Sequence, residues 1–143
     1  MSAELLYSEI LDEYKKLTTK EERIAYLRKQ EHFGLLEFLK AVFHPKITFD
    51  VIVPEYRPAI EPAGLNFTYL DMEMRKIYRF IKNHPGRPPN LGADRQTSLL
   101  KIILESLHKD EAELLIKMIH KDLGVETLDT KIVKEAFPNL DLG

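Results

Sequence analysis

The chain has 143 residues, of which 44% are hydrophobic and 31% charged, enough apolar content for one domain with a single core. Its formal net charge of -2 argues against a generally basic polyanion binder, so any nucleic-acid contact must come from a local patch. With no cysteine there is no disulfide frame and no thiolate metal site, and no apolar run is long enough to span a bilayer.

Leu5, Leu6, Ile10, Tyr14 and Leu17 recur at helical spacing, so 3–17 reads as an amphipathic helix. This start has no basic stretch leading into an apolar one, so it does not read as a signal peptide, and a cytoplasmic location is expected. Thr19-Lys-Glu-Glu22 is a capping box that opens a second helix to about Gln30, with Ile24 and Leu27 inward. Leu35, Leu36, Phe38, Leu39, Val42 and Phe43 form a denser apolar run, a central helix ended by Pro45. Residues 47–53 alternate and are rich in β-branched side chains, which predicts an extended segment lying across the helices with at most a minimal pairing. Three prolines in 54–64 exclude a helix interior there.

Asn66 or Thr68 can cap the next helix, with Leu70, Met74, Ile77, Tyr78 and Ile81 on one face. A proline-rich loop, 83–92, separates it from a helix capped by Asp94 and carrying Leu99, Ile102, Ile103 and Leu107. Asp110-Glu-Ala-Glu113 is a further capping pattern, opening a helix with Leu114, Leu115, Met118 and Ile119 inward. Gly124 is expected to stop that helix in a left-handed conformation. Asp129 or Thr130 caps a last helix bearing Ile132, Val133, Ala136 and Phe137, and Pro138 ends it. The sum is one all-α domain, 1–143, of about seven helices, with Leu36, Leu39, Phe43, Ile77, Ile103, Leu115 and Ile119 in its core.

Nothing in this pattern builds a catalytic constellation. There is no phosphate-binding G-x-x-x-x-G-K-[ST] loop and no H-E-x-x-H pair. The histidines, His32, His44, His84, His108 and His120, lack ligand spacing, so no metal site is expected, and no cofactor or small-molecule substrate suggests itself. The carboxylates read as helix caps and solvated faces.

Charge is unevenly spread. Between Met72 and Arg95 stand Arg75, Lys76, Arg79, Lys82, Arg87 and Arg95 against Glu73 and Asp94. On an α-helix Arg75, Arg79 and Lys82 share one face, with Lys76 one position off it. Arg87, in the stiff loop Pro85-Gly-Arg-Pro-Pro89, should be held outward. Such a face can meet phosphates and release counterions. The same pattern also arises as a solvated face balanced by acids on neighbouring helices. In MIHKDLGVETLDTKIVKEAFP, residues 118–138, the first amides of the last helix lack internal acceptors and can hold a phosphate. Lys121, Gly124, Thr127, Thr130, Lys131 and Lys134 would surround it. Spacing alone favours a plain helix corner with Gly124 as stop and a capping threonine.

Residues 110–138, with their basic helix end, Leu-Gly turn and Ala-Phe-Pro close, resemble the end of the N-terminal helical DNA-binding domain of ATP-dependent DNA ligases of T-even-type phages. The helix, Thr-Lys cap and Leu-Leu-x-x-Leu-Lys-x-Val-Phe run near the start are similar in style. The resemblance implies a free-standing helical module, a phage protein gripping the DNA backbone and minor groove. It implies no ligase, since the nearest string to the nucleophile motif K-x-D-G is Lys121-Asp-Leu-Gly124, and the nucleotidyltransferase domain is missing. Glu126 and Asp129 also make this turn less basic than the ligases'. The alternative expectation is a protein–protein adaptor that engages a phage or host protein.

Overall fold

The computed structural model describes residues 5–143. Its α-helices are α1 (Tyr7–Lys15), α2 (Lys20–Lys29), α3 (Phe33–Phe43), α4 (Leu70–Glu73), α5 (Ala93–Ser106), α6 (Lys109–Ile119) and α7 (Thr130–Ala136). A 3-10 helix, Met74–Phe80, continues α4. The fold is all-α. Its extended segment makes one isolated antiparallel bridge, Phe49 with Ile81, flanked by Asp50 N–H to Phe80 C=O and Lys82 N–H to Thr48 C=O, both at 2.8 Å.

The core draws on every α-helix: Tyr14 from α1, Leu27 from α2, Phe38 and Leu39 from α3, Leu70 from α4, Leu100 and Leu104 from α5, Leu115 and Met118 from α6, and Val133 from α7. Of the seven core positions read from the sequence, Leu39, Ile77, Ile103, Leu115 and Ile119 are buried, while Leu36 and Phe43 pack on the core from its edge. The capping box of α2 forms as read: Thr19 Oγ1 accepts from Glu22 N–H and Glu22 Oε1 accepts from Thr19 N–H, each at 3.2 Å. The hydroxyls of Thr19 first, then of Thr18, also donate to Glu22 Oε1 and hold the Glu22 carboxyl below its usual range.

Other helix starts differ. The N-terminal helix begins at Tyr7 rather than at residue 3; residues 3 and 4 lie outside the described residues, and Leu5 precedes the helix and is exposed. α5 is preceded by Gly92, which places Asp94 inside the first turn, and its register turns Ile102 to solvent. α6 is capped by His108, whose Nδ1 accepts from Asp110 N–H at 3.2 Å. Asp110 therefore stands in the first turn, where the helix dipole favours its charge.

The largest departure is at 70–81. A single α-helix was expected, but after four residues the chain tightens to three residues per turn. Met74, Ile77 and Phe80 are the buried positions, spaced by three, which is the 3-10 repeat. Thr68 does not cap α4; its hydroxyl donates to Glu73 Oε2 at 2.7 Å.

Candidate nucleic-acid interface

The turn after α6 is a Schellman motif with a lysine in the left-handed position. Lys121 has φ 59°, Lys121 N–H bonds Met118 C=O at 2.9 Å, and Asp122 N–H bonds Lys117 C=O at 3.0 Å. Gly124 does have positive φ, 69°, but it is not the helix stop. It belongs to the next turn, where its N–H donates to Asp122 Oδ1 at 2.9 Å.

Lys121 is not a free cation either. Its Nζ reaches back to the carbonyl oxygens of His44 and Ile47, strapping the end of α6 to the segment that follows α3. Burial lowers the pKa of its ammonium. Replacing Lys121 by methionine should leave those carbonyls without this donor and lower stability by about 1–3 kcal/mol, read by urea unfolding. A reversal to glutamate is thus a folding lesion before it is a binding one.

One of the first amides of α7 is also engaged. Asp129 Oδ1 accepts from Ile132 N–H at 3.0 Å, so the protein's own carboxylate occupies the place proposed for a phosphate. Thr127, Lys131 and Lys134 are exposed and Thr130 half-buried, and Tyr14 Oη donates to Thr127 C=O at 2.7 Å. α7 leans on α2, where Arg28 donates to the carbonyls of Ala136 and Glu135 at 3.1 and 3.0 Å.

The basic segment is rearranged rather than dissolved. At three residues per turn, Arg75 and Arg79 are offset by about 120°, so they do not share one row. Lys82 lies past the 3-10 helix, in the turn that follows the extended Ile81. Arg79 folds over its own element: Nε donates to Lys76 C=O at 3.1 Å, and the guanidinium sits 5.7 Å from the Phe80 ring. Arg87 does not project outward; its side chain lies 3.4 Å from Asp50 Oδ2 and from Ile81 C=O. Arg75, Lys76 and Lys82 are exposed and have no ion-pair partner among the described residues.

The two sequence-distant segments both bond residues 47–48. Ile47 C=O receives Lys121 Nζ, and the neighbouring Thr48 C=O receives Lys82 N–H. Residues 47–48 are thus a seam between the basic segment and the α6 turn. Asp141 tempers this region: its carboxyl is held low by Gly143 N–H first, then by the charges of His44, Lys40 and Lys46.

A family described as "Family of unknown function (DUF6433)" matches residues 10–125. The chain belongs to DUF6433. That match takes in the basic segment, the seam and the Schellman turn, and ends before α7. No curated protein matches the chain.

Within this DUF6433 fold, one polar centre escaped the sequence reading. Glu111 was read as part of an exposed cap but is 1% exposed. Its Oε2 accepts from Tyr7 N–H at 3.2 Å and its Oε1 from Leu70 N–H at 3.0 Å, so one carboxylate closes the starts of α1 and α4. Burial raises its pKa above the usual range, against the opposing pull of those two amides. Beside it, Asp71 Oδ1 accepts from Tyr7 Oη and meets His32 Nε2 at 3.0 Å, while His32 Nδ1 lies 2.9 Å from Gln30 C=O. The helical period carried the signal for Glu111: it stands four residues before Leu115, on the inward stripe of α6.

Proposed function

We propose that the chain is a non-enzymatic helical module, a phage accessory protein of the cytoplasm, that holds a nucleic-acid backbone without reading its sequence. The observation that carries this reading is the basic segment, whose exposed cations Arg75, Lys76 and Lys82 have no ion-pair partner among the described residues and which is tied to residues 47–48, as is the α6 turn. In the basic segment Arg75, Lys76 and Lys82 are left free to meet phosphates, and on α7 Lys131 and Lys134 are exposed without an ion-pair partner among the described residues. The ligase-like pattern at 110–138 supports the same reading. Lys121, Arg87 and the amide capped by Asp129 leave the proposed contact set, because the protein itself uses them.

Charge reversal tests it. Arg75→Glu with Lys82→Glu should weaken binding of a labelled duplex by roughly tenfold or more at low salt, and by the same factor for unrelated sequences. Both side chains are exposed, so the unfolding midpoint should hardly move. Fluorescence anisotropy that gives equal affinities for variant and wild type would remove these residues from any interface.

A second reading, a protein–protein adaptor, is favoured by a different observation. Leu65, Phe67 and Tyr69 on the approach to α4, Met72 within it and Leu5 before α1 are exposed, with Phe67 at 98% and Leu65 at 70% of full exposure. Apolar groups gathered in this way mark interaction surfaces. Absence of salt-dependent DNA binding even at low salt would favour this reading over the first.

A further inference from the structure

The exposed apolar residues frame a cavity of about 680 Å³ beside the starts of α1 and α4, walled by Leu5, Ala63, Tyr69 and Met72 and floored by Tyr7 and carboxylates. The carboxylates are those of Glu9, Asp71 and Glu111, and none of the described residues that line the space is a lysine or arginine. Their hydrogen bonds leave two carboxylate oxygens open. Both Glu111 oxygens are taken by backbone amides; Glu9 Oε1 accepts from Leu6 N–H at 2.8 Å, while Glu9 Oε2, on an exposed side chain, has no hydrogen-bond partner among the described residues. Asp71 Oδ1 takes both Tyr7 and His32, while Asp71 Oδ2 has no hydrogen-bond partner among the described residues. Between Gly64 and Tyr69 in the chain, Asn66 has both side-chain amide atoms shielded from solvent and without a partner among the described residues, although such groups are ordinarily satisfied.

We propose that this cavity docks a partner protein through one lysine or arginine side chain carried between apolar residues. The apolar walls match the aliphatic stem and its flanking residues, and the free Asp71 oxygen matches the charged head. The volume lies within the range of ligand pockets. Charge complementarity decides against a phosphate-bearing occupant, because carboxylates without a lining cation repel it. The site therefore stands apart from the basic seam, and it does not depend on the nucleic-acid reading being correct.

The test is a displayed library of random dodecapeptides selected on the whole chain, followed by affinity measurement of single winners. The expected winners carry a lysine or arginine between apolar residues. They should lose roughly tenfold in affinity on Asp71→Asn, which removes the charge of a charge-assisted hydrogen bond. Met72→Lys places a cation at the rim and should also weaken them; Met72 is 56% exposed, so this variant keeps the fold. Three results would overturn the proposal: no enriched peptides, winners lacking a basic residue, or winners indifferent to both variants. A concentration-dependent dimer in sedimentation that Met72→Lys disperses would also overturn it, making the occupant a second copy of the chain.

Discussion

Glu111→Ala should be among the most damaging single substitutions in the chain. It strips the acceptor from two helix starts at once, leaving Tyr7 N–H and Leu70 N–H unpaired in a buried place. Each orphaned amide costs about 1–3 kcal/mol, so a loss of about 2–5 kcal/mol is expected. That is a large share of the roughly 5–15 kcal/mol by which a domain is stable. Urea unfolding followed by circular dichroism measures it; a loss under about 1 kcal/mol would mean water replaces the carboxylate freely. The raised titration of Glu111 adds a pH signature. A carboxyl whose folded pKa lies above its unfolded one favours the fold most when protonated, on the acid side. That contribution is lost as pH climbs through the folded value. Glu111→Gln cannot titrate. The stability of the wild type relative to Glu111→Gln should therefore be best on the acid side and shrink as pH rises from the ordinary carboxylate range through the raised one. A gap that widens with pH would contradict burial as the dominant cause.

Gly34→Ala should also be strongly destabilising, although the same change at an exposed helix position would stabilise by about 0.5–1 kcal/mol. Gly34 lies in α3 with its Cα against the polar cluster. A methyl group there would run into Asp71 Oδ1 and Tyr7 Oη, and would stand 3.1 Å from Asp71 Cγ. Asp71, Tyr7 and His32 would have to separate, and overpacking of this kind costs typically about 1–3 kcal/mol. A double-mutant cycle isolates the cause: in an Asp71→Ala background much of the cost should vanish. Equal losses in both backgrounds would place the clash elsewhere.

These two residues show where the sequence was legible and where it was not. The α2 capping box, the Asp129 cap and the apolar stripes of α3 and α6 were readable because each depends on residues within one turn. Glu111 was misread because capping patterns drew attention to Asp110 and Glu113, while the residues that use its carboxylate lie 104 and 41 positions away. The 3-10 helix was within reach, since Met74, Ile77 and Phe80 repeat every three residues, but Tyr78 and Ile81 completed an equally regular α-helical face. That choice decided the candidate interface, because the expected row of arginines exists only at 3.6 residues per turn. Lys121 and Arg87 could not have been excluded from sequence: a lysine strapped to two carbonyls and one free in solvent look alike until the fold brings residues 44–50 beside them.

Salt dependence of duplex binding most directly tests whether this chain holds a nucleic-acid backbone. A fluorescein-labelled duplex is titrated with wild-type protein by anisotropy across roughly a decade of salt, starting low. With Arg75, Lys76 and Lys82 as the phosphate contacts, log K should fall by roughly 0.9 per contact for each decade of salt, a slope near -3. The slope should drop to about -1 when Arg75 and Lys82 are reversed. Binding absent at the lowest salt, or binding whose affinity does not change with salt, would contradict it.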